Sequence, residues 1–163
     1  MTEIIKVAVL GSTGYVGLEL VKILANHPFV KLNFLGCENF PLKKKLNLNK
    51  SFKSKIPNLS LNKEFNPSDS DLVFLALPHG IAQKIVKKIF NKIKIIDMSA
   101  DFRLDEKKIY EKNYKTIHTC PELLDKFVYG LAEVNKNKII KSNYISVPGC
   151  YPTSVLTPII PLL

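Results

Sequence analysis

The chain opens on a nearly continuous apolar run. Ile4 to Leu10 (IIKVAVL) is rich in β-branched residues, the pattern of a strand buried on both faces. The segment Gly11-Ser12-Thr13-Gly14-Tyr15-Val16-Gly17 follows, and the period then changes. Val16, Leu20, Ile23 and Leu24 recur at three- and four-residue spacings, which predicts a helix stopped by Asn26-His27-Pro28, with His27 as a structural residue at its end. Val30 to Leu35 reads as a second strand. Strand, glycine turn, helix and strand in that order open a parallel α/β sheet.

From Cys37 to Asp71 the chain is polar and lysine-rich, broken by Pro41, Pro57 and Pro67, and predicts loops with little regular structure. Lys43, Lys44 and Lys45 read as a solvated face. Leu72 to Leu77 (LVFLAL) suits a central parallel strand ended by Pro78-His79-Gly80. Ile81, Ile85, Ile89 and Ile93 recur every fourth residue with lysines between them, an amphipathic helix with a snorkelling basic face. Ile93 to Met98 predicts another strand, short helices are expected near 105–112 and 133–140, and Tyr144 to Val147 is the last clear strand. Pro148-Gly149-Cys150-Tyr151-Pro152-Thr153 comes next, followed by an apolar stretch to Leu163 that expects to be covered; the chain reads as cut short. The fold class expected is a Rossmann-like, doubly wound α/β fold with a mainly parallel sheet. A dinucleotide-binding domain would occupy residues 1–149, and residues 150–163 would begin a second, α+β substrate domain.

Composition narrows the classes. With 46% hydrophobic and 23% charged residues the chain is expected to fold rather than remain disordered. No run of eighteen apolar residues predicts a membrane span, and Glu3 and Lys6 interrupt the first ten residues, which do not read as a secretory signal. Three cysteines without paired metal spacing point to a reducing cytosol and no metal site. Twenty-four basic residues against 14 acidic ones give +10, which invites a nucleic-acid partner; the lysines are scattered, however, and form no stripe. All but one of the 24 are lysine. The exception, Arg103, implies a need for the planar guanidinium fork, either for an anionic ligand or for an ion pair with Asp101 or Asp105.

Gly11, Gly14 and Gly17 lie between a strand and a helix, where phosphate binding demands close backbone approach and N–H groups facing the anion. The alternative is a tight turn packed without ligand. Glu38, just beyond the second strand, could accept from a ribose 2′-hydroxyl, whereas Lys43 to Lys45 could meet a 2′-phosphate, so this level leaves NAD and NADP open. Cys150 follows a strand and precedes Pro152, a first-turn residue. A thiol at a helix N-terminus is favoured as the nucleophilic thiolate, whereas Cys37 and Cys120 read as buried and inert. His79 falls on the expected cofactor edge. Neither it nor His118 is placed by sequence as a base for Cys150.

Five blocks together carry a resemblance: Gly11 to Gly17, Ala76 to Gly80, Asp97 to Arg103, Tyr129 to Glu133, and Val147 to Thr153. The chain resembles the N-terminal half of the N-acetyl-gamma-glutamyl-phosphate reductases, the arginine-biosynthesis members of the semialdehyde dehydrogenase superfamily. Ser154 departs from the Gly or Ala usual there. The resemblance implies a cytoplasmic, NADP(H)-dependent enzyme acting on a small-molecule acyl phosphate, with no nucleic-acid or membrane partner, and a homo-oligomer at full length. By it, Gly11, Ser12, Thr13, Gly14, Tyr15 and Val16 hold the pyrophosphate, with Pro78 and His79 near the cofactor. Cys150 forms a thioester, and Arg103 grips a substrate anion. The family's acid–base histidine belongs to a second domain and has no match here. Alternatives are a non-catalytic NADP(H)-binding module and an aspartate-semialdehyde dehydrogenase-like reductase; a nucleic-acid binder ranks last.

Overall fold

The computed structural model describes residues 3–39, 46 and 56–163, which divide into two compact units, Met1–Leu77 with Ile89–Ile95 and Pro78–Lys88 with Ile96–Leu163. The expectation for Lys43 to Lys45 lies outside the described residues.

In the first unit the apolar opening forms strand β1 (Ile5–Leu10), and the helical period forms α1 (Tyr15–Ala25). Asn26 closes α1, and His27 sits just past its end, where Nδ1 accepts from the Phe29 N–H at 3.2 Å. Strand β2 (Val30–Cys37) runs parallel to β1, and the register slips between Val7 and Ala8, so that Asn33 is the extra residue. That residue is polar for a reason: its side chain donates to the Asp69 carbonyl at 2.7 Å and accepts from Ser70 Oγ at 3.1 Å. β2 continues two residues past the expected Leu35 because Leu35, Gly36 and Cys37 pair with a further strand, β3 (Leu59–Leu61). β3 lies inside the stretch expected to be mostly loop. Strands β4 (Leu72–Leu75) and β5 (Lys94–Asp97), the latter contributing Lys94 and Ile95, complete the order β3-β2-β1-β4-β5. Sequence order reverses between β1 and β4, the switch point at which open α/β sheets bind ligands beyond their strand ends. Val7, Val9, Val21, Leu24, Leu32, Leu35 and Leu59 form the core between sheet and helix.

The second unit takes up Ile96 and Asp97 of β5 and orders its strands β5-β7-β6, where β6 is Val128–Tyr129 and β7 is Tyr144–Ser146. The two-residue β6 has no local signature; it is defined by its parallel pairing with Ile145 and Ser146. Helix α2 (Ala82–Ile89) is shorter than the isoleucine period suggests, because Ile93 is buried at the entry to β5 instead. Helices α3 (Lys107–Tyr114), α4 (Ala132–Lys141) and α5 (Cys150–Ile159) follow. α4 is kinked at Asn135, whose Nδ2 donates to the Tyr129 carbonyl at 2.9 Å. An aromatic group consolidates this unit: Phe102 stacks on Phe127 at 4.1 Å and meets the His118 ring edge-on at 5.3 Å. No helix among the described residues is long and apolar enough to cross a membrane.

Candidate active site

The glycine turn joins β1 to α1 in the first unit. Gly11 has φ +78°, and a Cβ there would lie 2.2 Å from the Ala76 carbonyl oxygen; on Gly17 it would lie 2.2 Å from the Gly11 carbonyl oxygen. Both positions therefore need glycine for packing alone. Gly14 differs: a Cβ there would meet only the Gly11 oxygen, at 3.4 Å, an ordinary contact. Packing does not explain this glycine, which leaves the backbone at the α1 N-terminus uncovered by a side chain. Gly14 is the N-cap of α1, no side chain caps that end, and no acid stands in its first turn. Thr13 is half-buried, and Tyr15 and Val16 are exposed. Ser12 is fully buried, and its hydroxyl and its N–H both donate to the Gly36 carbonyl at 2.9 Å, so this hydroxyl braces the turn.

One residue here carried no sequence signal. Asn62, just after β3, accepts from the Gly11 N–H at 3.2 Å and donates to the Glu38 carboxylate at 3.3 Å. A Cβ on Gly36 would stand 2.2 Å from its Oδ1, so Gly36 leaves the space in which Asn62 ties the turn to the end of β2.

The second unit holds the remaining candidates. Cys150 is the first residue of α5, Gly149 is its N-cap, and the cysteine is exposed. Cys37 and Cys120 are buried, and burial pushes the Cys120 thiol up to about 11. Arg103 donates from Nε to the Val147 carbonyl at 2.8 Å and from Nη2 to the Met98 carbonyl at 3.1 Å, and it pairs with neither Asp101 nor Asp105 among the described residues. A Cβ on Gly149 would lie 3.1 Å from Nη1. The guanidinium therefore rests against the backbone immediately before Cys150, and that glycine makes the room. Beside it a pocket of about 210 Å³ is lined by Phe102, Leu124, Phe127, Tyr129, Arg103 and Asp105, among others.

Pro78 and His79 are exposed on the turn that enters α2, and the His79 ring lies 5.9 Å from that of Tyr114. His118 is buried and unsuited to proton transfer with solvent. Its Nε2 lies 2.9 Å from the Asp101 carbonyl, its Nδ1 accepts from the Cys120 N–H, and burial lowers its pKa. Asp97, at the end of β5, is fully buried and accepts from the Ser99 N–H at 3.0 Å and its hydroxyl at 2.8 Å. Burial outweighs these bonds and raises its pKa to about 7. No cluster of metal-ligating side chains occurs among the described residues.

Residues 6–142 match the family described as semialdehyde dehydrogenase, NAD binding domain. The chain belongs to that family. Along its whole length it is 47% identical to the N-acetyl-gamma-glutamyl-phosphate reductase of Ehrlichia canis, of which it covers 47%. With the reductase of that name from Halothermothrix orenii it shares 44% identity over 98% of its own length and 47% of the relative. The chain thus spans about half the length of these curated relatives. Aspartate semialdehyde dehydrogenase II of Vibrio cholerae is alike in fold, with a TM-score of 0.74 at 21% identity over 98% of this chain and 46% of that one.

Proposed function

We propose that the chain forms the nucleotide-binding and nucleophile-bearing part of a reductase that converts N-acetyl-L-glutamyl 5-phosphate to N-acetyl-L-glutamate 5-semialdehyde with NADPH. Residues 1–149 bind the nucleotide, and residues 150–163 begin the substrate-binding part. The observation that carries this reading is an exposed cysteine opening a helix against a guanidinium, in a chain of this family.

The roles follow from the side chains. The α1 N-terminus takes the pyrophosphate: its N–H groups have no side-chain cap, and the hydrogen of Gly14 leaves room for phosphate oxygens. Pro78 and His79, exposed on the turn that enters α2, come close to the nucleotide, as the resemblance implies. Arg103 spends Nε and Nη2 on the protein, which leaves Nη1 to hold an anionic substrate oxygen beside Cys150. The Cys150 thiolate attacks the acyl carbon; the C–S bond forms, the bond to the phosphate oxygen breaks, and phosphate departs with the electron pair. NADPH supplies the hydride that reduces the resulting thioester carbon. As the aldehyde carbonyl re-forms, the C–S bond breaks and Cys150 is released as thiolate.

The test is mass spectrometry of the chain mixed with N-acetylglutamyl phosphate, read together with NADPH consumption. The expected result is an acyl adduct on Cys150 that is absent from Cys150→Ser, while that variant still binds NADPH. An adduct on another residue, or turnover by Cys150→Ser, would refute it. The alternative reading of the chain is a nucleotide-binding module without turnover. That reading expects NADPH binding with no adduct.

A further inference from the structure

The His79 turn is fastened by Asp101, which lies two residues before Arg103. Asp101 is fully buried, and its carboxylate accepts three bonds. Oδ1 takes the Gly80 N–H at 2.7 Å and the Tyr110 hydroxyl at 2.7 Å, and Oδ2 takes the Gln83 N–H at 2.9 Å. Gly80 and Gln83 flank the start of α2, so Asp101 supplies that helix end with its cap from 18 to 21 residues away. The turn thereby held is the one that carries His79, and Gly80 in it adopts φ +79°.

The backbone of Asp101 is fixed as firmly. Its N–H donates to Ser99 Oγ at 3.1 Å, Ser99 is held by Asp97, and its carbonyl lies 2.9 Å from His118 Nε2. Two residues on, Arg103 folds back onto the Met98 carbonyl. The segment 97–103 is therefore a loop closed by its own hydrogen bonds, which Asp101 ties to the start of α2 and which carries Arg103. We infer that Asp101 is a positioning residue that holds the His79 turn and the Arg103 guanidinium in their binding geometry. This rests on the functional reading above, in which that turn meets the nucleotide and Arg103 meets an anion.

The test uses the full chain and two readouts that loss of stability alone would not move in step. The first is NADPH affinity. The second is the ratio of Cys150 alkylation rates with iodoacetate and iodoacetamide, because a guanidinium beside the thiol favours the anionic reagent. In Asp101→Asn an amide N–H replaces one acceptor and opposes a backbone N–H. NADPH affinity is expected to fall about tenfold and the reagent ratio severalfold, with the circular-dichroism spectrum retained. Tyr110→Phe deletes one of the three donors and keeps the ring, and it is expected to move both readouts in the same direction by a smaller factor. Should Asp101→Asn fail to fold, Tyr110→Phe decides. A folded variant with both readouts unchanged overturns the inference. His79→Ala and Arg103→Lys separate the underlying reading: if neither moves its own readout in the parent chain, the binding roles fail, whatever Asp101 does.

Discussion

Asp97 offers a prediction whose size can be worked from its surroundings. Its carboxyl is fully buried at the end of β5 and is raised by desolvation from 3.8 to about 7, even though Ser99 donates to it twice. Between those values the folded chain keeps a proton that the unfolded chain has lost. Unfolding free energy therefore decreases as pH rises through this window, at up to about 1.4 kcal/mol per pH unit for this group. The contribution is whole below the unfolded value and is lost above about pH 7, for a total of about 4 kcal/mol. Asp97→Asn removes the titration while keeping an oxygen for the Ser99 N–H, and its amide can donate to the Ser99 hydroxyl.

The assay is a set of thermal melts of parent and variant between about pH 4 and pH 8. The variant is expected to lose one proton's worth of slope and to melt higher at the alkaline end, on the order of 10 °C for a chain of this size. Equal slopes in parent and variant, or a variant less stable at the alkaline end, would refute the reasoning. Either result would mean that Asp97 is ionised in the folded chain.

The other predictions divide between packing and ligand binding. Gly11→Ala and Gly17→Ala each place a Cβ 2.2 Å from a carbonyl oxygen and should cost at least about 2 kcal/mol in denaturant melts, whereas Gly14→Ala should leave stability within about 1 kcal/mol and lower NADPH affinity. Under brief alkylation of the native chain, peptide mapping should find Cys150 labelled before Cys120 and Cys37; equal labelling would deny its distinct exposure. Glu38→Gln removes an exposed carboxylate held by Asn62 at the end of β2, and titration with both nucleotides should shift the affinity ratio toward NADPH by about fivefold, roughly 1 kcal/mol of charge repulsion. No change in that ratio would place the ribose away from Glu38.

The parts of the fold legible in the sequence were those set by local pattern. β1, the glycine turn and α1 announce themselves within twenty-five residues, because apolar continuity, glycine spacing and helical period change in turn. β3 and β6 do not: three and two residues long, they are strands only because Leu35–Cys37 and Ile145–Ser146 lie beside them. Cys150 at a helix start was readable from Gly149 and Pro152. The sequence offers Asp101 as a partner for Arg103, whereas its partners in the fold, Gly80, Gln83 and Tyr110, are brought to it by tertiary structure. The spacing Asp97-x-Ser99-x-Asp101 did carry a local signal, since each acceptor caps an N–H two residues on. Asn62 carried none.

The single arginine can now be explained by geometry rather than by rarity. Nε and Nη2 point to two different carbonyls, Val147 at the end of β7 and Met98 after β5, while Nη1 faces the N-cap of α5. Three directions in one plane are what a guanidinium offers; an ammonium has one nitrogen and cannot occupy three stations. Arg103→Lys would keep the charge but give up at least one carbonyl, and the cation beside Cys150 would lose its fixed position. The glycines follow the same logic of separable duties. Gly11 and Gly17 are spent on the protein's own backbone, as Nε and Nη2 are spent on carbonyls. In each group one member differs: a Cβ on Gly14 would meet no close packing, and Nη1 makes no hydrogen bond among the described residues, so these are the members that the proposed function gives to a ligand.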